Sequence, residues 1–220
     1  MALCLLIVTL AISIEVQAQA GDWMRLGDAL VEGGAPDGLE RALDAYGLVD
    51  PSGPDALRVL ERRAFVNFLL GRMTASIACY VPLLDQLERD RSSVGRVARR
   101  AMREEALVVL ASVVADPDWD RDGVPEATAM TRLADPALIP QDRAWLAPLY
   151  FATGRSLYFT SRDPAAIAVF DHALGHWPAP EHGTLLEAAC RRHHARPTTL
   201  PDEDPGDRST ANETCARHAF

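Results

Sequence analysis

The fold is decided by residues 145–178, which read WLAPLYFATGRSLYFTSRDPAAIAVFDHALGHWP. Apolar side chains recur there at helical spacing on both sides of a short turn. The pattern predicts one helix from Asp142 to Thr160 and a second from Asp163 to Trp177. Asp163 and Pro164 stand where a helix start favours an acidic cap and a proline. The stretch therefore predicts an antiparallel pair of helices.

Helical patterns of the same kind continue outward from this pair. The predicted helices fill two short segments within 22–47 and the segments 55–70, 74–87, 93–115, 125–134 and 181–195. No run alternates in the way that requires a strand. Helices in pairs with short turns are typical of an α-solenoid. The chain is therefore expected to be all-α, with antiparallel helical hairpins over residues 21–196.

The quoted pair also carries small and large residues at fixed places. Gly154 is small where the neighbouring helix must approach, and Ala166 is small where the two helices cross. Phe170 fills the groove between the helices, Ala173 lets a following hairpin pack, and Pro178 closes the unit. In residue type and spacing, these positions resemble the tetratricopeptide repeat (TPR), a family of stacked helical hairpins.

Two other stretches resemble the repeat less closely. One has Ala64, Phe68, Gly71, Ser76, Ile77, Tyr80 and Leu83, and the other has Trp23, Leu26 and Gly27 with Ala42 and Tyr46 out of register. TPR arrays generally present a concave groove to a peptide or a partner protein and have no catalytic residues. In bacterial envelopes, similar exported proteins act as adaptors in secretion, outer-membrane assembly or motility. The resemblance therefore implies a non-enzymatic scaffold that binds another protein or peptide.

Composition narrows the possible partners. The 220-residue chain has a formal charge of −9, and all of its basic side chains apart from histidine are arginine. An acidic chain has no general attraction for nucleic acid or for an anionic membrane surface. The absence of lysine indicates the codon bias of a GC-rich, bacterial genome. Nucleic acid is therefore not expected among the partners.

Residues 1–20 resemble a secretory signal peptide. An uncharged apolar run from Met1 to Ile14 precedes Ala18 and Ala20, which form a small-residue cleavage site. The alternative is a mis-assigned start or a buried first helix, because no Lys or Arg precedes the run. We expect cleavage after Ala20 and a periplasmic or secreted protein. No later segment has the roughly 20 apolar residues that a membrane span needs.

Three cysteines remain after that cleavage. Cys190 and Cys215 could pair in an oxidising compartment and pin the tail to the last helix. Cys79 lies in an apolar helical context and is expected to be a buried thiol. The alternative is that all three thiols stay free. Residues 197–220 are rich in Pro, Asp and Thr, a composition that predicts a disordered tail.

An acidic segment between predicted helices resembles the first half of an EF-hand calcium loop. Asp118, Asp120 and Asp122 alternate ahead of a glycine, and the carbonyl of Val124 and the carboxylate of Glu126 follow. Calcium takes six to eight oxygen ligands, which alternate carboxylates on a tight loop can supply. Alanine occupies the position of the bidentate glutamate. The spacing favours a weak or structural calcium site, and the alternative is a solvated loop.

Patterns typical of enzymes are missing from the sequence. There is no G-x-S-x-G nucleophile elbow and no phosphate-binding G-x-x-x-x-G-K-[ST] loop. His172 and His176 lie one helical turn apart, but two surface histidines explain them better than a metal site. The leading hypothesis is therefore an envelope adaptor with a calcium-stabilised loop. The alternatives are a helical-repeat enzyme acting on cell-wall material, and calcium binding as the activity itself.

Overall fold

The computed structural model describes residues 22–35, 37–89, 95–119, 127–195 and 205–218. Those residues form ten helices and no strand, which confirms the all-α class. The helices are α1 (22–32), α2 (Gly38–Gly47), α3 (Ala56–Leu69), α4 (Met73–Arg89), α5 (Arg96–Ala115), α6 (Ala129–Ala134), α7 (Leu146–Phe159), α8 (Asp163–His176), α9 (Pro180–Ala195) and α10 (Pro205–Arg217). None of the helices within these ranges has the length and apolar character of a membrane span.

The chain divides into two units, Met1–Gln86 and Leu87–Phe220. In the first unit, an apolar cluster around the fully buried Tyr46 of α2 joins α1, α2 and α3. Its buried members are Met24, Ala42, Tyr46, Val49, Val59 and Val66. The hydroxyl of Ser76 in α4 donates to the buried carbonyl of Ala64 in α3 at 2.8 Å. The first unit therefore contains two helical hairpins with apolar contacts.

In the second unit, α8 is the central helix and contacts α6, α7, α9 and α10. A helix surrounded by others is expected to be apolar on most of its faces. Its buried apolar residues are Pro164, Ala166, Ile167, Val169, Phe170 and Ala173. α5 packs against both α6 and α7. The hairpin predicted at 145–178 is thus the core of this unit.

The α3–α4 and α7–α8 hairpins turn in the same way. Each turn has three residues, and the middle one is left-handed, with φ of 74° at Gly71 and 65° at Ser161. In each turn the third residue donates its N–H to the carbonyl five residues earlier, at 2.8 Å and 2.9 Å. These bonds run from Arg72 to Asn67 and from Arg162 to Leu157. Both helices therefore end in the hydrogen-bond pattern of a Schellman cap.

The α1–α2 hairpin has a longer turn, which explains why its residues are out of register. Its turn covers 33–37, whereas the α7–α8 turn covers 160–162. A Cβ atom on Gly27 would overlap the ring of Tyr46, so the two residues touch as Gly154 and Phe170 do. The longer turn shifts the sequence spacing and keeps the contact between glycine and aromatic ring.

The predicted disordered tail is wrong for residues 205–218, which form α10 and the turn after it. α10 packs on α8 and α9. Few of its side chains are apolar, and Ala211, Thr214 and Cys215 are the buried ones among 208–218. The prediction from composition failed because composition reports only how much apolar surface a segment can bury. This helix is also held by a disulfide bond. Residues 197–204 lie outside the described ranges.

Gly71 has a left-handed backbone conformation in the α3–α4 turn, so a substitution there tests the turn. Gly71→Ala is expected to lower the free energy of unfolding by about 1 kcal/mol, because a side chain is unfavourable at positive φ. Chemical denaturation followed by circular dichroism measures the change. Gly47→Ala is the matched control, since Gly47 has ordinary φ and a Cβ added there would meet no atom within 4 Å. Equal stability of the two variants would contradict the assignment.

Candidate interaction surface

The outer face of α7 carries two aromatic side chains with an arginine between them. Phe151, Arg155 and Phe159 are four residues apart and share one side of the helix; we call them the α7 stripe. Phe159 is 68% exposed, Arg155 is exposed and Phe151 is half-buried. The opposite side of the helix is buried, so the stripe is the solvent face of an amphipathic helix.

The positive charge of the stripe is not neutralised within the described residues. The guanidinium carbon of Arg155 lies 5.9 Å from the ring centre of Phe151 and 5.7 Å from that of Phe159. These are cation–π distances. No carboxylate of the described chain lies within ion-pair distance of Arg155. Arg72, by contrast, is paired with Glu40. The stripe therefore presents an arginine that is available to an external anion.

The neighbouring helix α5 has an exposed face of opposite character. Val97, Ala101, Glu105 and Val108 share this face, which we call the α5 stripe. Val97 is 85% exposed and Val108 is 60% exposed. Glu105 has no basic partner in the part of the chain that the structure describes, whereas Glu104 accepts from Arg100 at 2.8 Å. α5 and α7 therefore expose complementary charges beside apolar side chains.

The structure buries four of the five residues that the sequence predicts to pack the hairpin. Ala166, Phe170 and Ala173 are fully buried in α8. A Cβ on Gly154 would stand 2.5 Å from Cε1 of Phe170, so the ring lies directly on the glycine. Pro178 lies exposed between α8 and α9. Four of these residues thus shape the interior of the unit.

A buried ion pair fixes α9 on this hairpin. Asp163 is fully buried, and its Oδ1 accepts from Nε of Arg192 at 2.7 Å. The Arg192 guanidinium also lies 3.8 Å from the ring centre of Tyr158. A buried charge that loses its partner destabilises a fold strongly. We therefore interpret Asp163 as a structural residue whose carboxylate is paired with Arg192.

The cleft between α6, α8 and α10 has a volume of about 190 Å³. Its walls consist of threonine and apolar side chains such as Met130, Ile167 and Thr214. A cell-wall hydrolase needs carboxylates that flank the bond to be cleaved. No carboxylate is among the described residues that line this cleft.

The candidate calcium loop is described only at its first ligand. Asp118 lies within the described ranges, whereas Asp120, Asp122, Val124 and Glu126 lie outside them. Among the residues that are described, no group of three His, Cys, Asp or Glu side chains could hold a metal ion. The calcium site therefore stays a prediction.

The segment before this loop is anchored to the helices around it. The backbone N–H of Asp118 donates to Oδ1 of Asp116 at 3.1 Å. The indole N–H of Trp119 donates to the carbonyl of Val113 at 2.9 Å. The guanidinium of Arg132 stacks 4.1 Å from the Trp119 ring centre and donates to the Pro117 carbonyl at 3.0 Å. Both α5 and α6 thus hold the start of the loop.

His172 and His176 stack on each other rather than spread apart. Their ring centres are 4.1 Å apart, and the ring of Tyr150 lies 4.9 Å from that of His172. Burial lowers the pKa of His172, and the neighbouring His176 lowers it further. The pair belongs to an aromatic cluster at the end of α8, in which His172 is half-buried and His176 is exposed.

Cys190 and Cys215 form a disulfide bond, one of the arrangements that the sequence left open. Their Cα atoms are 5.6 Å apart, and the bond joins α9 to α10. Asp171 of α8 adds contacts to Arg217 at 3.1 Å and to Nε2 of His218 at 2.7 Å. Cys79 is a half-buried free thiol whose pKa is raised by burial. The last two helices are therefore held as one hairpin.

Sequence reasoning missed the two stripes. The available signal was an arginine flanked by phenylalanines four residues away on each side, in a helix whose other face is apolar. The positions that resemble the repeat are residues that face inward, so they do not indicate an exposed stripe. No family model, curated protein or solved structure matches the chain.

Proposed function

We propose that the chain is a non-enzymatic adaptor of the bacterial cell envelope, which binds another protein or peptide through the α7 stripe. The observation that carries the proposal is the exposed Phe159 ring beside an arginine with no carboxylate partner among the described residues. Aromatic and arginine side chains dominate the binding energy of protein interfaces. Exposing them together on one helix face is unfavourable unless a partner covers them.

The hairpin geometry supports a TPR-like array as the scaffold. The α3–α4 and α7–α8 turns share length, left-handed residue and hydrogen bonds. The α9–α10 hairpin follows α7–α8, and α10 is a mostly polar helix. A disulfide that persists also fits an exported protein, because oxidising compartments preserve it.

The geometry favours an adaptor over the two alternatives. The buried acid Asp163 is engaged by Arg192, and the described residues that line the cleft beside α8 include no carboxylate. Calcium at the loop that begins at Asp118 would stiffen the connection between α5 and α6. In the proposal it is a structural ion, and binding is assigned to α7.

Co-purification from envelope extract tests the proposed function. Wild type is expected to retain a partner that Phe159→Ser loses at least tenfold, because the substitution removes the more exposed aromatic ring of the stripe. Quantitative mass spectrometry of the retained proteins is the measurement. Leu48→Ser is the matched control, since Leu48 is also an exposed apolar residue, at 60%. The same retained proteins from both variants would contradict the proposal.

A further inference from the structure

We propose that the α7 stripe also binds the α5 stripe of a second copy of this chain, so that the protein forms a symmetric dimer. The inference rests on the proposed function only in treating the α7 stripe as a binding surface. Arg155 and Glu105 are both exposed, carry opposite charges and have no ionic partner in the described chain. Each could neutralise the other across an interface.

The apolar neighbours of the two charges match as well. Phe151 and Phe159 flank Arg155 by one helical turn on either side. Ala101 and Val108 flank Glu105 in the same way on α5. Apolar contacts around an ion pair strengthen its Coulomb attraction, and removing both charges from water offsets part of that gain. The α5 stripe therefore has the chemistry that the α7 stripe is suited to bind.

Two-fold symmetry is available because both stripes belong to adjacent helices of one unit. α5 packs against α7 within the second unit. A two-fold axis that places α5 of one copy on α7 of the other also forms the reciprocal contact. The Arg155–Glu105 pair is then made twice. Such an isologous interface needs both complementary stripes on every copy, which this chain has.

The size of the surface indicates a weak dimer. α5 has 20 residues and α7 has 14, so they are about 30 Å and 21 Å long at 1.5 Å per residue. Two such helices side by side offer on the order of 500 Å² per copy, below the roughly 800 Å² per partner of stable interfaces. We therefore expect a weak and reversible dimer, because small interfaces are typical of transient complexes.

Charge exchange tests the dimer on the purified, oxidised protein by sedimentation equilibrium near physiological salt. Arg155→Glu or Glu105→Arg alone is expected to weaken association at least tenfold, because like charges then face each other. The double variant Arg155→Glu/Glu105→Arg is expected to recover to within about threefold of wild type, since the pair is restored with reversed polarity. Arg191→Glu, an exposed site on α9, is the matched control and should associate as wild type does.

Three results would each overturn the proposal. They are a wild type that stays monomeric at about 200 μM, single variants that associate like wild type, and a double variant no better than the singles. Circular dichroism of each variant establishes that the exposed substitutions leave the helices intact, and Arg155→Ala provides a milder second test of the same contact. A monomer that still retains a Phe159-dependent partner from extract would refute the dimer and leave the proposed function standing. A dimer that retains no such partner would refute the proposed function and leave the dimer standing.

Discussion

Gly154→Ala is expected to lower the free energy of unfolding by about 1–3 kcal/mol, the usual effect of an added carbon in a well-packed core. The new Cβ would stand 2.5 Å from Cε1 of Phe170 and 2.8 Å from its Cδ1. Phe170 is fully buried, so its ring cannot move aside without disturbing its neighbours. Urea denaturation followed at 222 nm measures the loss. The overlap has to outweigh the gain of roughly 1 kcal/mol that alanine brings to a helix interior.

Two further variants make this test specific. Gly175→Ala lies in α8 of the same hairpin with no atom within 4 Å of its added Cβ, and is expected to leave the stability unchanged or slightly raised. Gly154→Ala/Phe170→Leu should recover part of the loss, because the smaller side chain makes room for the methyl group. If Gly154→Ala proves as stable as Gly175→Ala, the contact between glycine and ring is not made as described.

Removal of the disulfide is expected to release α10. Cys190→Ala/Cys215→Ala should lower the free energy of unfolding by about 3–4 kcal/mol, because the bond closes a segment 25 residues long. α10 has 13 residues and few buried apolar side chains, and a helix of that length is marginal on its own. Hydrogen exchange of its backbone amides measures the release. Their protection should fall to that of an unfolded segment while the α8 amides remain protected.

The control for the disulfide is the remaining cysteine. Cys79→Ala removes a half-buried thiol far from α10 in sequence and should leave the α10 amides protected. Wild type treated with a dithiol reductant should behave like the double variant. Undiminished protection of α10 in both the reduced protein and the double variant would mean that its packing on α8 is sufficient, and that the disulfide is not what holds it.

The α7–α8 hairpin could be predicted because its information is local. The spacing of apolar residues predicted the two helices. Gly154, 16 residues before Phe170, indicated where the helices approach each other. The same contact between Gly27 and Tyr46 escaped the pattern because the longer turn at 33–37 changed the spacing. Patterns based on sequence spacing therefore apply only to hairpins whose turns have the same length. The contact itself depends on the sizes of the two side chains.

The parts that could not be predicted depend on contacts between distant residues. α10 is polar in sequence, and the bond between Cys190 and Cys215 holds it to α9 while contacts to Asp171 hold it to α8. Arg155 is one arginine among many, and its availability follows from the lack of a nearby carboxylate in the described chain. A sequence lists charges, whereas the fold determines which of them are paired. Which arginine lacks a partner among the described residues was therefore visible only after folding.

The claim that the α7 stripe binds a protein is tested most directly by photo-crosslinking in cells. A photoreactive phenylalanine analogue is placed at Phe159 in one strain and at Leu48 in another, two positions of similar exposure. We expect irradiation to join a protein other than a second copy of the chain to position 159, and Arg155→Glu to abolish that adduct. Identical adducts from both positions, or no adduct from position 159, would contradict it.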